Sequence, residues 1–378
     1  MKNKIILIHN IITPTRTLLF NKLHEKFKSQ WYDFKIIFTS ETESNRKWNT
    51  QKEIDKFEFD YEILNSKQIQ HTWWKDNHFF HINFDIKKIL DKEMPNIIIH
   101  AWWAWLSAWS SMFWCKKNNA KYILWNESTK HENSWRRTIT KPLVKYLVKN
   151  SDKYMSFWSR SFEYLEILWA NKEKIYPLYN TVDVDFFLEQ SKILKPQKEE
   201  LKQKYGIKTK YTIVFVWQLI ERKWIYNILE WFANFQKQNK DISLVFVWWW
   251  PEEENMKQII KEKNIQNVFF PWFFQIDKIS ELYTIADIFT LPSIEEVWGL
   301  VINEAMCFWL PIITAYRVWA SADLVQEWKN WFIMKENTVE EFEKWLEFLF
   351  ENNLIEKNNN LEIIKDFRVE KIVEKLEF

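Results

Sequence analysis

Short apolar runs rich in β-branched residues alternate with segments of helical spacing in the first half of the chain. The runs predict buried strands, and the intervening segments, with apolar residues three and four apart, predict helices. The predicted strands are Ile5–His9, Phe34–Thr39, Asn96–His100, Lys121–Trp125 and Lys153–Ser156. The predicted helices are Thr17–Phe27, Trp105–Lys117, 138–150 and 160–168. This alternation is typical of a parallel sheet covered by helices.

The same rhythm restarts after a polar stretch from Ser191 to Lys210. The predicted strands are Tyr211–Val216, Ser243–Val247, Val268–Pro271, Ile288–Leu291 and Pro311–Thr314. The predicted helices are Ile225–Lys237, Glu253–Lys263, Lys278–Ala286, Val301–Cys307 and a charged segment from Thr338. We therefore predict an α/β fold with two doubly wound domains in tandem, whose ligands bind outside the carboxyl ends of the strands.

The length of 378 residues suits two domains of ordinary size. We place the N-terminal domain at residues 1–185 and a linker at 186–210. The C-terminal domain follows at 211–355. Residues 356–378 are predicted to form a C-terminal helix that packs back on the N-terminal domain.

Tryptophan is unusually abundant and glycine unusually rare. The chain has 26 Trp and 2 Gly, whereas average usage predicts roughly 26 Gly at this length. Trp217 follows a strand-like run, Trp248–Trp250 follow another, and Trp328 and Trp331 bracket a turn-like Lys-Asn pair. Such places favour glycine, because the backbone there needs positive φ or close approach.

Two hypotheses explain these tryptophans. In one they are real and form aromatic platforms, for example for stacking on sugars. In the other the gene belongs to a lineage that reads the codon UGA as glycine, and the sequence was translated with UGA as Trp. The second is favoured, because the positions follow the conformational needs of glycine. UGG codons at Trp217, Trp248 and Trp309 would contradict it.

Composition and charge are those of a globular protein with a basic N-terminal half. We find no apolar run of the length needed to span a bilayer, and the start of the chain predicts a buried first strand and no signal peptide. Cys115 and Cys307 lie far apart, which favours a reducing, cytoplasmic setting. Residues 101–150 carry nine basic and two acidic side chains. Such a stretch predicts either a solvated helix face or contact with an anionic membrane or phosphate-bearing substrate; nucleic acid is not expected.

The segment 292–306 holds the strongest candidate chemistry. It reads Pro-Ser-Ile-Glu-Glu-Val-Trp-Gly-Leu-Val-Ile-Asn-Glu-Ala-Met, after a predicted strand and into a predicted helix. Glu296 precedes the helix, and Glu304 lies about one turn inside it. Paired carboxylates accept hydrogen bonds from ribose and sugar hydroxyls, and a helix start offers N–H groups to phosphate.

This segment resembles the Glu-x7-Glu motif of the retaining glycosyltransferases of family 4, written E-x-F-G-L-x-x-x-E. The matching residues are Glu296, Trp298, Gly299, Leu300 and Glu304. Other family segments match where Trp replaces the family's Gly. They are Val216–Leu219 with Arg222–Trp224, Val247–Pro251, Pro271–Trp272, Trp309–Pro311 and Asn330–Phe332. Trp298 and Trp125 fall on aromatic positions and are expected to be true tryptophans, with Trp48 a third candidate.

The resemblance, over roughly residues 5–335, implies a GT-B fold, with the two Rossmann-like domains facing each other across a cleft. It implies transfer of a sugar from a UDP-, GDP- or ADP-sugar to a glycan or lipid-linked acceptor with retention, without a metal or other cofactor. The implied donor-binding residues are Trp217, Gln218, Lys223, Glu296, Gly299, Leu300 and Glu304. Gln218 departs from the family's usual Arg and brings no charge.

The N-terminal half matches less sharply and supplies candidates for the acceptor side. These are Arg16, His100 and His131, and Glu127 joins Glu296 as a candidate catalytic residue. A lone histidine is more often structural than functional. Asp183-Val184-Asp185 has the spacing of a metal motif, but it falls in the predicted hinge, and Asp183 is as apt to cap a turn as to touch a ligand.

Two rival functions remain open at this point. GT-B sugar-nucleotide epimerases share the fold but lack the E-x-F-G-L register. A non-catalytic sugar- or nucleotide-binding scaffold gains if the tryptophans are real, because indoles at 217, 224 and 248–250 would fill the phosphate loop. The expected setting is the cytoplasm, with contact on the inner face of the membrane as a hypothesis and polysaccharide or glycolipid assembly as the role suggested by the fold.

Overall fold

The computed structural model describes residues 3–44, 48–73, 76–103, 106–131, 135–247, 252–271 and 276–377. The positions 248–251 and 272, which carry two of the glycine-like turns predicted above, lie outside the described residues. The chain divides into two compact units. The first comprises Met1–Tyr179 and Val369–Phe378, and the second comprises Asn180–Arg368.

The first unit is built on a parallel sheet. Its strands are β1 (Asn3–His9), β2 (Tyr32–Phe38), β3 (Asp60–Ile63), a hairpin of β4 (Lys67–Trp73) and β5 (Asp76–Ile82), β6 (Ile97–Ala101), β7 (Lys121–Asn126), β8 (Lys153–Ser156) and β9 (Ile175–Pro177). The sheet order within the described residues is β3-β2-β1-β6-β7-β8-β9. The antiparallel hairpin β4–β5 stands apart from this sheet.

Helices cover the sheet of the first unit. They are α1 (Pro14–Ser29), α2 (Thr50–Ile54), α3 (Ile86–Glu93), α4 (Leu106–Asn118), α5 (Trp135–Lys149) and α6 (Ser159–Ile167). The last helix of the chain (Val369–Glu374) belongs to this unit as well. Lys26 Nζ donates to the carbonyl oxygen of Val373 at 2.9 Å, which ties that helix to α1.

The second unit repeats the plan. Its strands are β10 (Tyr211–Val216), β11 (Ile242–Val247), β12 (Val268–Phe269), β13 (Ile288–Leu291), β14 (Ile312–Ala315) and β15 (Trp331–Met334), in the parallel order β12-β11-β10-β13-β14-β15. Its helices are α7 (Val184–Leu194), α8 (Lys198–Lys204), α9 (Ile225–Phe235), α10 (Glu253–Glu262), α11 (Ile276–Ile285), α12 (Leu300–Cys307), α13 (Ser321–Leu324), α14 (Val339–Glu351) and α15 (Asn360–Ile364), and the helix of the first unit named above is α16.

Buried apolar strands explain both sheets. Residues 5–8 of β1 and 213–216 of β10 are fully enclosed, as parallel strands covered on both faces require. The predicted α/β fold with two doubly wound, Rossmann-like domains is thereby confirmed. The stretch predicted as a linker, 186–210, contains most of α7 and all of α8, and it belongs to the second unit.

Left-handed backbone conformations concentrate on tryptophan. Among the described residues, seven Trp have positive φ, beside Asn residues and one Met. The seven are Trp31, Trp102, Trp169, Trp224, Trp309, Trp328 and Trp331. Asn adopts this region with modest strain, whereas for an ordinary L-residue it costs roughly 1–2 kcal/mol. These positions therefore have the backbone of glycine.

Hydrogen bonds at the ends of helices also identify tryptophans at glycine-type positions. After α8, Gly206 (φ 74°) donates to Gln203 O and Ile207 donates to Lys202 O, which is a Schellman motif. After α6, Trp169 (φ 73°) and Ala170 make the same two bonds to Glu166 O and Leu165 O. Trp309 and Leu310 repeat them after α12. Trp thus occupies the position that glycine occupies in an identical motif.

A second group of tryptophans behaves as tryptophan does. Their indole N–H groups donate to protein acceptors at 2.7–3.1 Å. The group consists of Trp48 (to Ile12 O), Trp114 (to Asp91), Trp125 (to Glu127) and Trp298 (to Asn303). No member of this group has positive φ. Buried indoles are normally satisfied in this way.

Candidate functional site

The order of strands in the second sheet reverses between β10 and β13. These two strands are parallel neighbours, so they end at the same edge of the sheet, β10 at Val216 and β13 at Leu291. In doubly wound sheets this reversal point opens a crevice where ligands bind. The loops that follow the two strands carry Trp217, Gln218 and Lys223 on one side and Glu296 and Gly299 on the other, so the fold brings the predicted donor residues to one edge.

Lys223 and Glu296 form a buried ion pair at this edge. The Lys223 ammonium bonds Glu296 Oε2 and lies 3.4 Å from the carbonyl oxygen of Glu295. The two residues are only 1% and 6% exposed. A buried cation is stable only with such a partner, and removing either group leaves an uncompensated charge. The pair joins residues 73 positions apart in the sequence.

The backbone of Glu296 is held from the neighbouring loop. Its N–H donates to Arg317 O at 3.2 Å, and its carbonyl accepts from Trp319 N at 3.1 Å. Its own Oε1 accepts from Val297 N at 3.1 Å. The carboxylate is thus fixed from both sides, as a group that must meet a ligand in one orientation requires.

Gly299 lies immediately before α12 in a left-handed conformation that favours glycine. Its φ is 89°, and a Cβ atom there would lie 2.9 Å from Leu291 Cδ2. Trp224 has the same place before α9, with φ 66°. A left-handed residue therefore precedes each of these two helices, and N–H groups of the first helical turn follow it.

Glu304 lies on α12, one turn after Gly299, and is half-buried. The buried Tyr283 hydroxyl of α11 donates to Glu304 Oε2 at 2.7 Å. Burial raises the pKa of the Glu304 carboxyl from 4.5 to about 7, and the bond from Tyr283 opposes this rise. Glu304 is thus a carboxyl that titrates near neutral pH at the edge where the predicted ligand sits.

Trp217 and Gln218 follow β10 and are partly exposed. The Lys223 ammonium lies 5.4 Å from the Trp217 ring centroid. Trp217 N donates to Val247 O at 3.3 Å, so its backbone closes the ends of two strands. Leu300 is partly exposed at the start of α12.

In the first unit, Arg16 and Glu127 come together although 111 positions separate them. Arg16 Nη2 donates to Glu127 Oε1 at 2.6 Å, and the indole of Trp125 donates to the same oxygen at 2.8 Å. The guanidinium lies over the ring of Phe157, with Cζ 4.6 Å from its centroid. A carboxylate is therefore presented at the carboxyl end of β7, where the chain turns out of the sheet.

The two predicted histidines lie in different surroundings. His100 is fully enclosed, and its ring nitrogens lie 2.8 Å from Ala101 O and 3.0 Å from Ser107 Oγ. Burial lowers the pKa of His100 to about 4, so the ring is neutral at pH 7. His131 is exposed, and its backbone N–H donates to Thr129 Oγ1 at 3.2 Å. The acceptor-side roles of both stay predictions.

Residues 197–365 match the family model of the glycosyl transferases group 1. This matched region is similar to a glycosyl transferases group 1 domain and is called the transferase domain below. A curated relative of Haemophilus influenzae, named an uncharacterized glycosyltransferase, is 28% identical over 262 residues, which cover 68% of each chain. The transferase domain thus coincides with most of the second unit and contains the whole of the Lys223–Glu296 edge.

Solved structures similar to this chain have the same fold. HepE of Anabaena, solved with UDP-glucose, aligns with a TM-score of 0.69 at 13% identity, covering 98% of this chain and 97% of HepE. The lipopolysaccharide outer core galactosyltransferase WaaB aligns with a TM-score of 0.70 at 14% identity, covering 98% and 97%. The fold is therefore that of the GT-B glycosyltransferases.

Tyr283 of the transferase domain was not predicted. It lies in a helix whose apolar spacing reads as core, and the residue is indeed buried. Only its hydroxyl bond to Glu304, 21 positions away, reveals a place in the site. A buried tyrosine needs a partner for its hydroxyl, but the sequence does not say which.

The Asp183-Val184-Asp185 spacing has structural uses. Asp183 caps α7 by accepting from Phe186 N at 3.0 Å, and Asp185 pairs with Arg368 at 2.8 Å. Within the part of the chain that the structure describes, three or more His, Cys, Asp or Glu side chains nowhere cluster as metal ligands would. In that same part, every helix is too short or too polar to cross a bilayer.

Proposed function

We propose that the chain is a retaining glycosyltransferase, similar to family 4, that moves a sugar from a nucleotide-diphosphate donor to an acceptor hydroxyl. The observation that carries the proposal is the buried Lys223–Glu296 pair at the strand reversal, inside a glycosyl transferases group 1 domain. A diphosphate needs a cation and free N–H groups, and a sugar needs carboxylate acceptors. This edge offers both kinds of group.

Each side chain then has a defined task. Lys223 and the first turns of α9 and α12 bind the diphosphate, and position 218 adds no charge because it is Gln. Glu304 accepts from the ribose hydroxyls, and Glu296 contacts the transferred sugar. Glu127, oriented by Arg16, serves the acceptor side. No metal is needed in this scheme, since Lys223 and the helix starts meet the charge of the leaving group.

The proposed reaction exchanges one C–O bond for another. The bond from the anomeric carbon to the diphosphate oxygen breaks, and its electron pair leaves with the diphosphate. The acceptor oxygen bonds the anomeric carbon on the same face, which retains the configuration. The acceptor's proton passes to the departing diphosphate oxygen, so atoms and charge balance.

UDP-sugars are the first donors to test, because HepE was solved with UDP-glucose. GDP- and ADP-sugars are the next. A glycan or lipid-linked acceptor at the inner face of the membrane is proposed, with a role in polysaccharide or glycolipid assembly. The likeness to a lipopolysaccharide galactosyltransferase supports this choice of acceptor class.

We infer further that tryptophans at glycine-type positions are glycines encoded by UGA. Seven have positive φ, and two of these repeat the Schellman motif of Gly206. The strain of seven such residues, roughly 7–14 kcal/mol, would equal the whole free energy of unfolding of a typical protein, about 5–15 kcal/mol. A chain with these seven indoles would therefore be at the limit of folding.

Peptide masses of the protein from its own cells test this inference directly. Glycine is expected at position 309 and tryptophan at position 298 of the same digest. Tryptophan at both, or UGG codons at Trp217, Trp248 and Trp309, would overturn the glycine assignment. Below, "glycine form" means the chain with every UGA codon read as glycine, and "literal form" means the printed sequence.

Donor binding tests the enzyme function. Calorimetry of the glycine form with UDP-, GDP- and ADP-sugars is expected to find one donor that binds. K223Q should weaken that binding at least tenfold, since a charged hydrogen bond is worth about 1.5–3 kcal/mol. K202Q is the matched control, because Lys202 is equally buried but bonds Lys210 O instead.

The outcomes separate the proposed function from its rivals. Binding by the glycine form and none by a literal form that is folded supports a donor site that indoles would obstruct. A folded glycine form that binds none of these donors contradicts the transferase. Binding with conversion of the donor to an epimer, in the absence of an acceptor, would favour the epimerase.

Donor affinity is expected to rise with pH through about 7. Protonated Glu304 has fewer acceptor sites for the ribose hydroxyls, and the pKa of its carboxyl is about 7. Y283F removes the bond that lowers this pKa, so the midpoint should move to higher pH. Between pH 4.5 and 7 the folded protein keeps a proton on Glu304 that the unfolded chain has lost. The free energy of unfolding should therefore fall as pH rises through this range. A midpoint that Y283F leaves unmoved would contradict this assignment.

A further inference from the structure

Exposed apolar side chains gather on α4 and α5 of the first unit. We call the exposed sides of these two helices the α4–α5 face. Its large apolar residues, each about half exposed or more, are Leu106, Phe113, Ile139, Leu143 and Tyr146. Single exposed apolar residues are ordinary, but contiguous groups mark surfaces that contact something.

The two helices form one continuous surface. The Lys116 ammonium of α4 lies 5.9 Å from the Tyr146 ring centroid of α5 and also bonds Asn150 Oδ1, just after α5. On α4, Leu106 and Phe113 are seven residues apart and so share a face. On α5, Ile139 and Leu143 are four apart and do the same.

Residues 138–143 of α5 contribute little to the core. All side chains from 138 to 143 are exposed, and full burial begins only at Leu147 and Val148. Ile139 and Leu143 are 65% and 59% exposed. Pro142 lies within this segment and removes one helical hydrogen bond. Ile139 and Leu143 therefore add apolar area to the exposed surface without stabilising the core.

Lysines lie on the same two helices as the apolar residues. Exposed or partly exposed Lys116, Lys117, Lys141, Lys145 and Lys149 lie on the same two helices. The sequences of α4 and α5 contain seven basic and no acidic side chains. The face therefore combines apolar side chains with an excess of positive charge.

A surface that combines apolar side chains and lysines fits the interface of an anionic bilayer. Lysine near such a surface gains about 1 kcal/mol, and an apolar side chain that enters the acyl boundary gains from burial. Nucleic acid would satisfy the lysines but leave Ile139 and Leu143 in water. An apolar protein groove would take the isoleucine and leucine but not the surrounding charge.

We propose that the α4–α5 face docks the first unit on an anionic lipid surface. This contact uses Ile139, Leu143, Leu106 and Phe113 as the inserted residues and the lysines as headgroup contacts. The idea that this contact gives the enzyme access to a lipid-linked acceptor rests on the proposed function. The docking itself does not depend on donor binding, because the transferase domain contributes no residue to it.

Vesicle flotation with the full chain in its glycine form tests the proposal. Binding is expected to vesicles of phosphatidylcholine and phosphatidylglycerol in equal parts and not to phosphatidylcholine alone. I139S/L143S should lower the bound fraction at limiting lipid at least tenfold. K141Q/K149Q should lower it similarly and remove most of its dependence on salt.

Matched controls come from elsewhere in the first unit. F84S removes another exposed apolar side chain, and K87Q/K88Q removes two exposed lysines of α3. Neither should change binding by more than twofold. Equal binding to both kinds of vesicle, or equal losses in the face variants and the controls, would overturn the proposal. Calorimetry with the donor on I139S/L143S should be unchanged, which keeps a failed donor site distinguishable from a failed docking face.

Discussion

Glycine in place of both Trp31 and Trp169 is expected to raise the free energy of unfolding of the literal form by about 2 kcal/mol, or about 1 per site. Both residues end helices of the first unit with φ near 70° and are 77% and 69% exposed. Strain is therefore relieved with little burial lost. The gain is net of glycine's larger entropy in the unfolded chain.

Contacts of the two indoles do not reverse this sign. Lys145 Nζ lies 3.5 Å from the Trp169 ring centroid, but such an exposed contact is worth only about 0.5–1 kcal/mol. The double variant should melt roughly 4–8 °C higher, since 1 kcal/mol shifts a domain of this size by about 2–4 °C. Thermal denaturation followed by circular dichroism measures it.

Trp114 supplies the opposing control. Its indole is buried and donates to Asp91 at 2.7 Å. W114G should therefore lower the free energy of unfolding by roughly 3–5 kcal/mol, as large-to-small changes in cores do. If W31G/W169G destabilised the protein as W114G does, the conformational argument for glycine at these positions would fail.

Local patterns were sufficient for most of the fold. Strands β10 and β13 were predicted with their observed bounds, because enclosed apolar runs between turns leave few alternatives. Predictions were not made for β3 or the β4–β5 hairpin. β3 has only the four residues Asp-Tyr-Glu-Ile, and the first two are exposed. Such a short run has no clear hydrophobic period.

Patterns along the sequence were insufficient to predict which side chains of the site contact one another. The motif register placed Glu296, Gly299 and Glu304 along one segment, as the structure does. The ion pair of Glu296 with Lys223 and the pair of Arg16 with Glu127 span 73 and 111 positions. Only the packing of parallel strands sets such contacts, and no spacing along the chain encodes them.

The left-handed tryptophans show how the two kinds of information combine. Motif resemblance marked Trp224, Trp309 and Trp331 as glycine-type positions. Trp31 lies in no such motif, yet it has φ 63° after α1. Backbone geometry thus extends the same assignment to a position where the sequence alone carries no signal.

In the proposed reaction, the Lys223–Glu296 pair must change when a diphosphate binds. A buried ammonium that already has one carboxylate gains less from a phosphate than an unpaired one would, since the anion has to displace or share that partner. In that scheme, Glu296 is released toward the sugar only as the diphosphate binds Lys223. The pair would therefore weaken diphosphate binding in the empty site and couple it to the placement of the carboxylate.

E296Q in the glycine form is accordingly expected to bind the free nucleoside diphosphate about tenfold more tightly, a change of about 1.4 kcal/mol, while sugar transfer falls roughly 100-fold or more. The neutral amide leaves the charge of Lys223 for the phosphates alone. E295Q removes the same charge one residue away, where only the backbone carbonyl approaches Lys223, so it reports the effect of a distant charge. Calorimetry with the diphosphate and turnover with the donor measure the two effects. Equal gains in E296Q and E295Q, or weaker binding in E296Q, would show that the pair does not restrain the phosphate site.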